Sequence, residues 1–216
     1  TGPFALALVE SEQKVFLAID RFAVCTLCYR VVEGKLRSSI RADDLADVTS
    51  EIDSQAIFNY LFLHSIPSPR TIYKDVFRVP PAHYVLFENG KLTVAPYWSP
   101  DFNKKTDKPF LQLREEFLHI LRESVTDQIG GARTGCFLSG GTDSSTISGM
   151  VGQVSGQPAI TYSIGFNAQG YDEMEYARIA SRQFQTKHHE YYVPPDALVR
   201  NIPKLAAYYD PPFGNS

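Results

Sequence analysis

Through the first hundred residues, apolar positions recur at about every second place in short runs divided by turn-forming residues, the period of half-buried strands. The runs are Phe4 to Glu10, Val15 to Asp20, Val24 to Val32 and Lys35 to Ile40. One helix interrupts them from about Asp53 to His64, with Asp53 or Ser54 as its N-cap and Ile57, Tyr60, Leu61 and His64 on one face. A hairpin follows, Tyr84 to Glu88 and Leu92 to Tyr97, turning on Asn89-Gly90, a pair that reaches positive φ at little cost. This half reads as mostly antiparallel β. The polar stretch Ser99 to Lys108 holds Pro100 and is closed by Pro109, which predicts a linker over residues 99–109 between domains at 1–98 and 110–216.

Beyond the linker the period changes to three and four. Phe110, Leu113, Phe117, Leu121 and Val125 predict a long amphipathic helix reaching Ile129. Strands then alternate with helices. Strands are predicted at Gly135 to Leu138, Ile160 to Phe166 and His188 to Val193. Helices are predicted at Asp143 to Val154, at Asp172 to Phe184 with Asp172 as cap, and near Asp196 to Tyr209, where Pro203 kinks or shortens the element. Such alternation implies a parallel sheet covered on both faces. The expected fold is therefore an α+β portion followed by an α/β portion.

Composition narrows the function classes. Of the 216 residues 44% are apolar and 21% charged, which suits a globular protein and argues against disorder. A formal net charge of -3 with scattered Lys and Arg offers no basic field for nucleic acid. Charges interrupt every apolar run before the roughly 20 residues that span a bilayer, and no secretory leader is read, so the expectation is a cytoplasmic protein without membrane partners. Three cysteines make no disulfide framework and are expected as reduced thiols. Cys25 and Cys28 form a CxxC, but in a strand-like setting that does not stabilise a thiolate.

One segment carries chemistry. Ser139-Gly140-Gly141-Thr142-Asp143-Ser144, followed by Ser145, lies between a predicted strand and a predicted helix. The glycines permit a sharp turn and close backbone approach to a ligand, and free amides at a positive helix end make an anion cradle. Ser139, Ser144 and Ser145 add hydroxyl donors, and Asp143 is the candidate Mg²⁺ ligand beside the phosphates. The loop is not a Walker A motif, since no Lys follows the second glycine at the required spacing.

With this loop the chain resembles the asparagine synthetases, whose ATP domain is marked by SGGxDS after a short apolar strand. Tyr162-Ser163-Ile164-Gly165-Phe166, then Tyr171-Asp172-Glu173 with Ala177-Arg178 and Lys187-His188-His189-Glu190, resemble the segments that follow in that family. Asp210 to Ser216 is similar to its "D.P....S" stretch beside the acyl acceptor pocket. Upstream, Gly2 to Leu8, Ile66 to Tyr73 and Val79 to His83 resemble parts of its glutaminase domain. The resemblance implies the remnant of an antiparallel Ntn-type glutaminase sandwich followed by a truncated parallel-sheet adenine-nucleotide domain of the PP-loop, HUP-like kind. It implies that Leu138 and Ile164 contact the adenosine of ATP through backbone and apolar packing and that Ser139, Gly140, Gly141, Asp143, Ser144 and Ser145 hold the triphosphate. It further implies an Mg²⁺-assisted adenylation of a carboxylate, aspartate or an analogue, then amide formation with ammonia from glutamine, in an enzyme that is a possible homodimer.

The sequence also departs from that pattern. The family's nucleophilic cysteine stands upstream of its "G.FAFAL" segment, and its second nucleotide segment lies beyond residue 216, so no catalytic residue is assigned within these residues. The expectation is a piece of a longer protein that alone neither hydrolyses glutamine nor forms an amide. Thr1 stands where the family has an ordinary loop residue. Where relatives show "DR.G..PLYY" this chain reads Asp20-Arg21-Phe22-Ala23-Val24-Cys25-Thr26-Leu27-Cys28-Tyr29, and where they show "SE.KAL" it reads Ser38-Ser39-Ile40-Arg41-Ala42-Asp43. A β-lactam or lasso-peptide macrolactam synthetase using an internal amine is the alternative, and a non-catalytic nucleotide-binding relative the second. His188 and His189, adjacent on a strand, are expected to point to opposite faces as packing residues. Asp172, Glu173 and Glu175 read as first-turn helix partners. Asp210 reads equally as a turn former or as a substrate contact.

Overall fold

The computed structural model describes residues 2–103, 105–129, 134–166 and 173–210. The chain forms two compact units, one of residues 1–104 with 203–216 and the other of 105–202. Thr1, Tyr171, Asp172 and the stretch 211–216 lie outside the described residues, and with them the Asp172 cap.

The first unit holds β1 (Ala5–Ser11), β2 (Lys14–Ile19), β3 (Cys28–Val32), β4 (Lys35–Ser39), α1 (Ser54–Leu63), β5 (Phe77–Arg78), β6 (His83–Glu88) and β7 (Lys91–Pro96). They make two antiparallel sheets, ordered β1-β2-β6-β7 and β4-β3-β5. Strand alternation sends Val15, Leu17 and Ile19 of β2 and Val85 and Phe87 of β6 into one core with Leu27, Tyr29 and Val79. The Asn89-Gly90 turn has φ of 50° and 80° and sets Glu88 opposite Lys91, as the sequence predicts. Glu33-Gly34, at 51° and 72°, makes an equivalent turn between β3 and β4. Asp53 caps α1 by accepting from the Gln55 amide at 2.9 Å. The predicted apolar face of α1 is not a core face, because Ala56 is the helix's buried residue while Leu61 stands 72% exposed.

The second unit holds α2 (Phe110–Ile129), β8 (Gly135–Phe137), α3 (Thr142–Ser155), β9 (Ile160–Phe166), α4 (Met174–Phe184) and β10 (Lys187–Val193), and most of α5 (Pro195–Tyr208), which continues through Pro203 rather than stopping there. Its parallel sheet runs β10-β9-β8. Cys136 packs with Val125 of α2 and with Met150 and Val151 of α3, and Leu138 packs with Ala177 and Ala180 of α4, so these helices share one face. The expected cover on both faces is not found among the described residues. Phe137, Tyr162, Ile164 and Phe166 on the opposite face are exposed, alternating with buried Thr161, Ser163 and Gly165. Strand order advances in one direction without reversing, and right-handed crossovers of constant direction place successive helices on the same side.

Glycines decide how closely α4 sits. A Cβ on Gly149 of α3 would fall 2.6 Å from the Phe184 ring, and one on Gly165 of β9 would fall 2.7 Å from Tyr192 and 2.9 Å from Met174. His188 and His189 do point to opposite faces. His188 Nδ1 lies 2.9 Å from Thr161 Oγ1 within a hydroxyl chain that continues to Thr186 and Ser181, whereas the His189 ring stacks on Tyr162 at 5.2 Å. Burial pushes the His188 ring below its ordinary value, with Arg178 and His189 adding to the effect and Glu190 opposing it.

Candidate functional site

The loop between β8 and α3 follows from its sequence. Leu138, the residue after β8, donates its amide to Tyr162 O at 2.9 Å and accepts at its carbonyl from Ser163 Oγ. Gly140 then turns at φ +85°, where an L side chain is strained. A Cβ there would also lie 2.4 Å from the Tyr176 carbonyl carbon and 2.5 Å from the Ala177 nitrogen, so the loop rests on the backbone of α4. The close approach that the glycines imply is thus, at Gly140, an approach to the protein itself. Gly141 differs. A Cβ there would meet Ser139 Oγ at an ordinary 3.4 Å, so the fold does not require its bareness.

The hydroxyls brace the turn. Ser139 Oγ lies 2.9 Å from Ser144 Oγ, Ser144 Oγ accepts from the Ser139 amide at 3.2 Å, and Ser139 Oγ accepts from the Gly141 amide at 3.3 Å. Ser144 Oγ also donates to Gly141 O at 3.3 Å. Helix α3 begins at an N-cap, Gly141, with no side-chain cap, which leaves first-turn amides for an anion. Ser145 Oγ is buried without a hydrogen-bond partner. Asp143 is exposed in the first turn and, with Ser144, borders a 480 Å³ cavity whose lining includes apolar Leu121, Val125 and Ile147 and polar Ser124, Gln128 and Thr134. A single accessible carboxylate beside uncapped helix-start amides is a donor set that suits Mg²⁺, which takes one or two protein carboxylates and completes its shell with other oxygens and water. Among the described residues no cluster of three or more His, Cys, Asp or Glu forms a closed metal site.

The structure separates the other predicted residues. Leu138 is 2% exposed and its side chain faces α4, which leaves no side-chain surface for a nucleotide. Ile164 is 53% exposed on the open sheet face. Asp210 belongs to the first unit, where its Oδ1 accepts from the amides of Ala42 at 2.7 Å and Asp43 at 3.1 Å. The contacts of Tyr176, Ala177 and Ser163 with the loop have no signal in the local sequence beyond the small residues they meet. The three cysteines are free thiols, and burial pushes Cys28 up to about 11, far from a reactive thiolate.

Comparison with known proteins divides the chain differently at its end, because it keeps residues 203–216 with the second stretch. Residues 1–98 match the glutamine amidotransferase domain and residues 116–216 match asparagine synthase. The chain belongs to the asparagine synthetase family. It is 35% identical to a putative glutamine-hydrolysing asparagine synthetase 2 of Methanocaldococcus jannaschii over 99% of the chain and 43% of that relative. It is 24% identical to asparagine synthetase 1 of Bacillus subtilis over 99% of the chain and 34% of that protein, and 27% identical to amidase chyE of Penicillium rubens over 72% of the chain and 24% of the amidase. The chain therefore spans less than half the length of these relatives. Within this ligase family, no helix among its described residues is long and apolar enough to cross a membrane.

Proposed function

We propose that these residues supply the pyrophosphate-binding half of an ATP-dependent, amide-forming ligase of the cytoplasm. The observation that carries the reading is the braced Ser139–Ser145 loop, which ends in an uncapped helix start and an exposed Asp143. The cradle holds the β- and γ-phosphates of ATP, and Asp143 would hold the Mg²⁺ that accompanies the nucleotide, which would neutralise part of their charge. A carboxylate oxygen, from aspartate or an analogue, bonds to the α-phosphorus while the bond to pyrophosphate breaks. An amine nitrogen, ammonia released from glutamine, then bonds to the acyl carbon as AMP leaves. Donors fixed by the Ser139–Ser144 brace meet the charge that grows on departing pyrophosphate without having to reorganise.

A ring-closing ligase with an internal amine is the second reading, favoured by Ser39. It stands where the family pattern has Glu, and its hydroxyl is committed to Asp44 at 2.6 Å. The test is ATP–pyrophosphate exchange by the full-length protein, screened with aspartate, its analogues and peptides. Exchange driven by aspartate and reduced at least tenfold in Asp143→Asn supports the reading. Exchange insensitive to that substitution removes the role given to Asp143, and absence of exchange with every acid removes the ligase.

A further inference from the structure

Asp210 lies in the stretch that matches asparagine synthase, residues 116–216, whereas Ala42 and Asp43 lie in the stretch that matches the glutamine amidotransferase domain, residues 1–98. One carboxylate oxygen nevertheless joins them, accepting from both amides across 167 and 168 residues of chain. A second bond runs alongside, from Arg41 Nη1 to Tyr208 O at 3.0 Å. Arg41 is itself held, its Nε and Nη2 donating to Asp43 at 2.8 and 2.5 Å. Below the loop Ala42 is 3% exposed and packs with Cys28 and Val76. The loop is therefore seated in an apolar cluster on one side and clamped by the end of α5 on the other. Arg41 occupies the Lys position of the family's "SE.KAL" pattern, so a basic side chain is retained where the clamp needs one.

We propose that Asp210 is a positioning residue that clamps the Ile40–Asp44 loop of the amidotransferase module to the segment following α5 in the synthase module, and so couples glutamine use to amide formation. The coupling part rests on the function proposed above; the clamp does not. Two converging amides require an oxygen acceptor and not a charge, so Asn satisfies the position and Ala does not. A contact with a substrate amine would require the charge.

Two measurements decide it. In this chain, hydrogen exchange at the Ala42 and Asp43 amides should quicken at least tenfold in Asp210→Ala and stay within about threefold of wild type in Asp210→Asn, with β2 and β6 amides reporting an intact fold. Arg41→Met, which removes the bond to Tyr208, should quicken the same two amides. Unchanged exchange in Asp210→Ala overturns the clamp. In the full-length protein, Asp210→Ala should raise glutamine hydrolysed per amide formed at least threefold, leave ATP–pyrophosphate exchange unaltered, and be rescued by Asp210→Asn. Loss of amide formation in Asp210→Asn equal to that in Asp210→Ala makes Asp210 a substrate contact and overturns the positioning role. If wild type makes no amide from glutamine, the function reading fails while the exchange experiment still decides the clamp.

Discussion

Two aspartates border the two cavities described here, and their surroundings are opposite. Asp20 lies at a 370 Å³ cavity of the first unit with 3% of its surface exposed. Its carboxylate accepts from the amides of Cys25 at 2.9 Å, Phe22 at 3.0 Å, Val24 at 3.1 Å and Phe4 at 3.4 Å. Asp143, at the 480 Å³ cavity of the second unit, is exposed and stands at a helix start whose amides have no side-chain cap. Asp20 has spent its hydrogen-bonding capacity on folding a turn. Asp143 and the amides around it have theirs to offer. A pocket acid signals chemistry when its capacity remains open, and structure when the backbone has used it.

The largest effect expected from breaking this contrast is at Asp20. Asp20→Ala leaves four amides without their acceptor and should lower unfolding free energy by about 3 kcal/mol in a denaturant titration. The contribution also depends on pH. Burial alone would raise the Asp20 carboxyl, but the four amides outweigh it and hold it below the usual carboxylate range. The unfolded chain then binds the proton at a higher pH than the folded chain, so this stability is full above the ordinary carboxylate value of about 4 and is lost as pH falls below it. Asp20→Asn should flatten that part of the acid limb, which melting curves between pH 5 and roughly 2 would detect.

The loop glycines provide the next effect. Gly140→Ala meets both the left-handed backbone and the α4 backbone and should cost about 2 kcal/mol in stability as well as at least tenfold in Mg-ATP affinity. Gly141→Ala should leave the melting temperature within about 1 °C, since its Cβ has ordinary space, yet weaken Mg-ATP by calorimetry if phosphate occupies that space. Equal stability losses at the two positions would show that α4 does not seat the loop. The smallest effect lies beside Asp20. Ala23 holds φ +52° where the family's "DR.G" pattern has glycine, so Ala23→Gly should raise stability by about 0.5–1 kcal/mol, read as an upward shift in the denaturation midpoint.

Much of this was legible because it is local. Period-2 patterning located β2 and β6, Asn89-Gly90 the hairpin, Asp53 the cap of α1, and the strand-to-helix junction the loop. The misreadings were of a different kind. Alternating strands and helices could not reveal that strand order advances one way, which leaves Phe137, Tyr162, Ile164 and Phe166 uncovered. Helical periodicity at Ile57 and Leu61 named a face without naming what packs on it.

The sequence by itself determined the loop's residue types, the expectation of an anion site and the resemblance to a ligase family, because backbone freedom at glycine and the donors of serine and a helix start are properties of short segments. Tertiary structure alone decided that Gly140 is bare for α4, that Leu138 turns inward, and that Asp210 reaches Ala42 and Asp43. Each of these depends on atoms far apart in the chain being brought within a few ångströms, and no local pattern encodes which distant backbone will arrive.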